Sequence, residues 1–210
     1  MRWQTIYEAR WIFAVLAVLT YLLSWLVTPW FGWIGLLLIL YTFYFFRDPE
    51  RAVPTEENVV VAAADGVIVE IVDIEEPEVL KTTMRRVAIF LSVFDVHTNR
   101  APVSGKVIYS ERRVGKMLDA RNPDASKLNE CRTWGIENSR AKIVVRQITG
   151  AIARRIVAWA QVGQEVTRGE RFGMIRFGSR TEVYLPVDTE VLVKIGDRVQ
   201  SGVSIIARLS

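Results

Sequence analysis

Residues 11–46 contain no Asp, Glu, Lys, Arg or His. At 1.5 Å per residue a helix of that length would measure about 54 Å, well beyond a hydrocarbon core of about 30 Å. Thr28-Pro29 divides the stretch into two apolar runs, Trp11–Val27 and Trp30–Phe46. Proline has no amide hydrogen and blocks helix continuation, so the pattern predicts a helical hairpin that bends at Pro29. Arg2 and Arg10 precede the hairpin, Arg47 and Arg51 follow it, and its turn is uncharged. Positive flanks favour the cytoplasmic side, which would place both ends there. Trp3, Trp11 and Tyr41–Phe46 would form an aromatic belt at one interface, with Trp25, Trp30 and Trp33 near the other. Each run is short for a span, so two crossings and a re-entrant hairpin are both compatible with the pattern. In either case residues 1–46 form a membrane-associated appendage and 47–210 the working domain, expected at the cytoplasmic face of a prokaryotic cell membrane.

The formal charge is +4. Arg2, Glu8 and Arg10 leave +1 on the hairpin and +3 on the remainder. This mild, dispersed excess suits an anionic lipid surface and lacks the clustered basic face that nucleic acid demands. A single cysteine, Cys131, excludes an intramolecular disulfide and a cysteine zinc cluster. A single histidine, His97, excludes phosphate relay between paired histidines. No metal centre is expected.

From residue 58 the chain changes to short runs rich in Val and Ile: 59–61, 67–74, 86–93, 106–109 and 141–148, with more strands from Met174 onward. Residues 150–160 are predicted helical, because Ile152, Ile156, Val157 and Ala160 share one face and Arg154 and Arg155 the other. Gly163-x-x-Val166-x-x-Gly169 recurs as Gly196-x-x-Val199-x-x-Gly202, and a weaker echo joins Ala64-Asp65-Gly66-Val67 to Val103-Ser104-Gly105-Lys106. Turns of this kind occur in the small β-sandwiches of biotinyl and lipoyl carriers. The expected fold is mainly β (α+β), a β-sandwich of barrel-sandwich-hybrid type with two related halves behind the hydrophobic hairpin. The competing reading is a membrane-tethered carrier or adaptor without catalysis. It needs a modifiable lysine at a hairpin tip, and Lys106 and Lys194 lack the usual Met or Asp neighbours.

Three positions carry candidate chemistry. His97 follows a strongly apolar run, in Phe94-Asp95-Val96-His97-Thr98-Asn99-Arg100-Ala101-Pro102, where a strand end presents it. Asp65, between three alanines and Gly66, is either a turn residue or a buried carboxylate that orients His97. Gly178-Ser179 is the chain's one Gly-Ser step. Glycine offers an unhindered carbonyl and tolerates unusual backbone angles, and a serine hydroxyl that loses its proton to a base can attack it. The resulting ester can eliminate to dehydroalanine and then become a pyruvoyl group.

Taken in order, Phe45-Phe46-Arg47-Asp48-Pro49-Glu50-Arg51, Ala64-Asp65-Gly66, the Phe94–Pro102 motif with Ser104-Gly105, and Gly173-Met174-Ile175-Arg176-Phe177-Gly178-Ser179 make the chain resemble the short form of the phosphatidylserine decarboxylase family. The resemblance covers nearly the whole chain. It implies a proenzyme that splits after Gly178 into a larger chain, 1–178, and a smaller one, 179–210, headed by a covalent pyruvoyl group, with no pyridoxal phosphate and no metal. It further implies Ser179 as nucleophile and pyruvoyl precursor, His97 as base and Asp65 as its orienter. The substrate's serine amine would form a Schiff base with the keto group, which would take up the electron pair left by carbon dioxide. His97 is also the natural proton donor. The implied partners are the phospholipid, the membrane and the complementary cleaved chain, with a homodimer of these pairs plausible. An ester lipid and an archaeal ether lipid are not distinguished. Two positions depart from longer members of the family: Arg100 stands where they have a second histidine, and Arg180 where they have Ser or Thr. Both arginines are candidate contacts for substrate anions.

Overall fold

The computed structural model describes residues 3–151, 155–176 and 179–209. The chain forms two compact units, Met1–Glu50 and Arg51–Ser210. The first holds α1 (Trp3–Glu8), α2 (Arg10–Leu26) and α3 (Trp30–Phe45). Pro29 is the N-cap of α3, so the expected bend is present, with α2 and α3 as its arms. They approach closely at Gly35, where a methyl group would collide with the Thr20 side chain, and at Phe13 and Phe43, whose ring centroids are 4.4 Å apart. Trp11, Trp25, Trp30 and Leu37 remain exposed. Among the described residues no helix is long and apolar enough to cross a membrane.

The second unit is mainly β, built on a curled antiparallel sheet. Its strands are β1 (Val59–Val61), β2 (Gly66–Glu75), β3 (Thr83–Leu91), β4 (Thr98–Arg100), β5 (Gly105–Arg113), β6 (Cys131–Glu137), β7 (Lys142–Thr149), β8 (Arg155–Ala158), β9 (Glu165–Val166), β10 (Arg171–Arg176), β11 (Ser179–Leu185), β12 (Glu190–Val191), β13 (Arg198–Val199) and β14 (Ile205–Arg208), with a short α4 (Ala125–Leu128) before β6. The eight-stranded sheet runs β13-β2-β3-β11-β7-β6-β5-β9, and two three-stranded sheets, β1-β14-β12 and β4-β10-β8, accompany it.

Residues 155–158 form β8, paired with β10 from Gly173↔Ala158 to Arg176↔Arg155, which overturns the helix predicted over 150–160. Residues 152–154 of that prediction lie outside the described part. The i, i+4 spacing of Ile152 and Ile156 suited a helix, but Ile156 and Val157 are β-branched, adjacent and both buried, as a paired strand under cover requires.

The repeated turns occupy matching places. Val166 pairs with Gly105 and Val199 with Gly66. Gly163 N donates to the Val107 carbonyl and Gly196 N to that of Ile68; Gly169 N donates to Ala101 and Gly202 N to Ala62. All four turn glycines have positive φ. The same bonding scheme therefore recurs in two parts of the unit.

β11 is buried along its entire length between β3 and β7. Strand alternation sends Val183 and Leu185 into the apolar core with Val87, Ile89, Leu91 and Val145. The opposite face carries Arg180, Glu182 and Tyr184. There the Glu182 carboxylate accepts from Arg180 Nε (2.8 Å), Ser126 Oγ (2.5 Å) and Tyr184 Oη (2.7 Å), with Arg86 Nη1 at 3.7 Å. Arg180 Nη2 reaches Glu70 at 2.7 Å, and Arg86 also pairs with Glu70. Burial, then the Glu182 charge, push the Tyr184 phenol well above its ordinary range, so it stays a neutral donor.

Candidate active site

β3 ends at Leu91, and the loop to β4 is fastened by Asp95. Its Oδ2 accepts from the backbone N (2.8 Å) and Oγ (2.7 Å) of Ser92, and its Oδ1 accepts from Arg198 Nη2 (2.8 Å). The Asp95 carbonyl lies 2.9 Å from His97 Nδ1, and His97 is fully buried. A carbonyl oxygen only accepts, so this contact requires the proton on Nδ1 and leaves the Nε2 lone pair as the basic site of the neutral ring. The His97 carbonyl accepts from Ile175 N at 3.2 Å, which joins the histidine to β10 shortly before Gly178.

Ser179 opens β11, in register with Leu91 of β3 on one side and Thr149 of β7 on the other. It is fully buried, and its Oγ has no hydrogen-bond partner among the described residues. An unsatisfied buried hydroxyl costs about 1–3 kcal/mol, so its position calls for an explanation, and a reacting group supplies one. Gly178, the expected partner in the cleaved bond, lies outside the described residues.

Asp65 lies on the segment between β1 and β2. Its Oδ2 accepts from Arg51 Nη2 at 2.7 Å and its Oδ1 from Ser201 N at 2.8 Å. Burial pushes its carboxyl above the usual range, opposed by these two donors. Two residues earlier, the Ala63 carbonyl gathers Arg100 N (3.0 Å), Asn99 Nδ2 (3.2 Å) and Ser201 Oγ (3.2 Å). The Asp65 segment is thereby bolted to the strand that follows His97. The Nδ1 position of His97 is occupied by the Asp95 main-chain oxygen, while both Asp65 oxygens hold Arg51 and Ser201.

Beneath these groups runs a buried polar chain. Trp134 Nε1 donates to Gln147 Oε1 (2.7 Å), Gln147 Nε2 to Asn99 Oδ1 (2.7 Å), and Asn99 Nδ2 to Thr181 Oγ1 (3.2 Å). Every amide atom in it is used, which fixes β4, β7 and β11 relative to one another.

The arginines expected to meet substrate are both buried. Arg100 Nη1 donates to the Gly169 carbonyl at 3.1 Å, and Arg180 joins Glu182 and Glu70. Asp95, Arg51, Asn99 and Gln147 were not singled out from the sequence. The first three stand inside quoted motifs, beside residues with more conspicuous chemistry; Gln147 gives no local signal. Cys131 is buried, and burial pushes its thiol up.

A cavity of about 270 Å³ opens where β3 and β7 end, lined by Phe90–Val93, Asp119–Arg121, Gly150 and Ala151. Leu91 is a register partner of Ser179, and Gly150 directly follows the other, Thr149. A larger cavity of about 420 Å³, between Thr55–Val59, Val103, Ser104, Asn138–Arg140, Arg168 and Leu209, contains none of the candidate catalytic residues.

The sequence profile of the phosphatidylserine decarboxylase family matches residues 38–207. Three curated relatives carry the name phosphatidylserine decarboxylase proenzyme. That of Carboxydothermus hydrogenoformans is 44% identical over 203 residues, 96% of this chain and 95% of the relative. That of Symbiobacterium thermophilum is 47% identical over 173 residues (82% and 80%), and that of Beijerinckia indica 44% over 194 residues (91% and 83%). With the profile spanning most of the β unit and identities this high over nearly full lengths, the chain belongs to the phosphatidylserine decarboxylase family.

Proposed function

We propose that this chain is a self-processing carboxy-lyase that converts phosphatidylserine to phosphatidylethanolamine with a pyruvoyl group made from its own Ser179. The observation that carries this reading is the Ser179 hydroxyl, buried and without a partner at the first position of a strand held on both sides. A hydroxyl so placed has no competing hydrogen bond to break before it attacks the preceding carbonyl. With the His97 Nδ1 proton committed to the Asp95 carbonyl, proton transfer in this reading runs through Nε2. Asp65, whose oxygens accept from Arg51 and Ser201, is the candidate carboxylate of this reading. A pyruvoyl group at position 179 would supply an electron sink for decarboxylation. The chain's own part is then to bind the headgroup in the cavity beside β11, exclude water with its apolar walls, and return a proton, for which His97 is the candidate.

The exposed apolar arms of the N-terminal hairpin and its positive flanks support attachment to the cytoplasmic membrane surface, where such a substrate resides. The recurring glycine turns support a barrel-sandwich-hybrid relationship for the β unit. The measurement is a denaturing gel with mass spectrometry. Active protein should contain two fragments divided at Gly178–Ser179, and Ser179→Ala should remain one 23.9 kDa chain without decarboxylase activity. Active wild-type protein consisting of the uncut chain would overturn the reading.

A further inference from the structure

We propose that Arg121, clamped by Asp119 at the rim of the cavity beside Ser179, grips the phosphodiester of the lipid headgroup; this rests on the decarboxylase reading above. Arg121 Nε and Nη2 bind the two Asp119 carboxylate oxygens at 3.1 and 2.7 Å, and the Arg121 amide donates to the same carboxylate at 2.9 Å. One edge of the guanidinium is thus committed to Asp119. Its other edge, Nη1 with the second Nη2 proton, keeps the geometry that suits two oxygens of a phosphate. The guanidinium lies over the Phe90 ring, 5.9 Å from its centroid, and the Arg121 side chain is 71% exposed. These contacts hold the Asp119 carboxyl at about 2, so the clamp is charged at any working pH.

The loop carrying the pair is tied to the reacting strand. Asn129 accepts from Leu118 N with Oδ1, and its Nδ2 donates to the carbonyls of Leu118 and Thr149, each at 2.8 Å. Thr149 is the register partner of Ser179. A single side chain therefore links the residue before Asp119 to the strand flanking the Ser179 position.

The chemistry selects the phosphate over the carboxylate. Asp119 and Arg121 are the charged residues of the cavity wall, which is otherwise largely apolar. The carboxylate loses its charge as carbon dioxide departs, so a cation fixed on it would stabilise the ground state more than the transition state and slow the reaction. The phosphodiester keeps its charge throughout and lies a few bonds from the reacting amine. Holding it at the rim leaves the carboxylate in apolar surroundings, where loss of charge is favoured.

The test uses the full-length processed enzyme in mixed micelles with phosphatidylserine at varied mole fraction. Glycerophosphoethanolamine, which has the phosphodiester and no carboxylate, serves as competitive inhibitor. Arg121→Gln should raise KM and the inhibitor's Ki in parallel, by about tenfold or more, with kcat within about a factor of two. Arg121→Lys should fall between, and Asp119→Asn should give a smaller parallel rise. The mass of the small fragment should be unchanged in all three. An unchanged KM overturns the proposal, as does a raised KM with unchanged Ki, which would assign Arg121 to the carboxylate. Lost processing in the variants also overturns it, by making the loop structural. Inactive wild-type enzyme would instead refute the reaction itself.

Discussion

Glu182 offers the sharpest quantitative test of the structure, because one buried carboxylate serves four partners. It accepts from Arg180, Ser126 and Tyr184 and faces Arg86, with its side chain fully buried. Glu182→Gln preserves the volume and removes the charge. Arg180 and Arg86 then share Glu70 as their remaining anion. Breaking a buried pair by removing one member costs about 3–5 kcal/mol; the shared Glu70 places the expected loss near the lower bound, about 3 kcal/mol. At roughly 2–4 °C per kcal/mol for a domain of this size, the melting temperature should fall by about 6–12 °C. The measurement is thermal and urea unfolding by far-ultraviolet circular dichroism, in mild detergent and in a Ser179→Ala background, which on the proposed reading keeps the chain whole. Arg180→Met combined with Glu182→Leu should recover at least about 1.5 kcal/mol of the summed single losses, because no uncompensated charge is left on that strand. A Glu182→Gln loss below about 1 kcal/mol would refute the account of β11 as held by charge.

Two further outcomes follow from local geometry. Gly66→Ala drives a methyl group into the Phe90 carbonyl at φ +151° and should cost at least about 2 kcal/mol in urea unfolding, whereas Gly196→Ala, at φ +98° with no atom within 4 Å, should cost about 1 kcal/mol from backbone strain alone. Against the pull of burial, Arg180 and Arg86 hold the Glu70 carboxyl below its ordinary value of 4.5. Its contribution to stability is therefore complete above that value and is lost as pH falls through the depressed one, so Glu70→Gln should be less stable than wild type near neutrality and should show a shallower decline on acidification through that window.

The sequence disclosed the hairpin because thirty-six uncharged residues around one proline leave few alternatives, and it disclosed the paired turns because glycines at fixed spacing need positive φ. β2, β3, β5 and β7 were legible from Val and Ile runs. β8 was not, because its four residues gain their conformation from pairing with β10, which no local pattern encodes. Among the site residues, His97 and Ser179 stood out as a unique histidine and a unique Gly-Ser step. The Asp95 carbonyl could not, since every residue has one and only the loop conformation aims it. Arg100 and Arg180 were candidates for anion binding through their charge; both are buried, with Arg100 Nη1 on the Gly169 carbonyl and Arg180 Nε on Glu182, partners that no local pattern in the sequence announces. The Asp119–Arg121 pair sits in a loop whose importance comes from where Asn129 anchors it.

The position of β11 has a consequence for the life of the molecule. Residues 179–210 supply the strand between β3 and β7, the strand between β1 and β12, and the partner of β2. Were the backbone severed in front of Ser179 as proposed, the short polypeptide would stay woven through the long one, because its strands join two of the three sheets, and its exit would require melting the ladders it shares with β1, β2, β3 and β7. On that proposal maturation would be a one-time event for each copy: were the keto group spoiled by reduction or transamination, no fresh short chain could be exchanged into place, and the whole protein would have to be synthesised again.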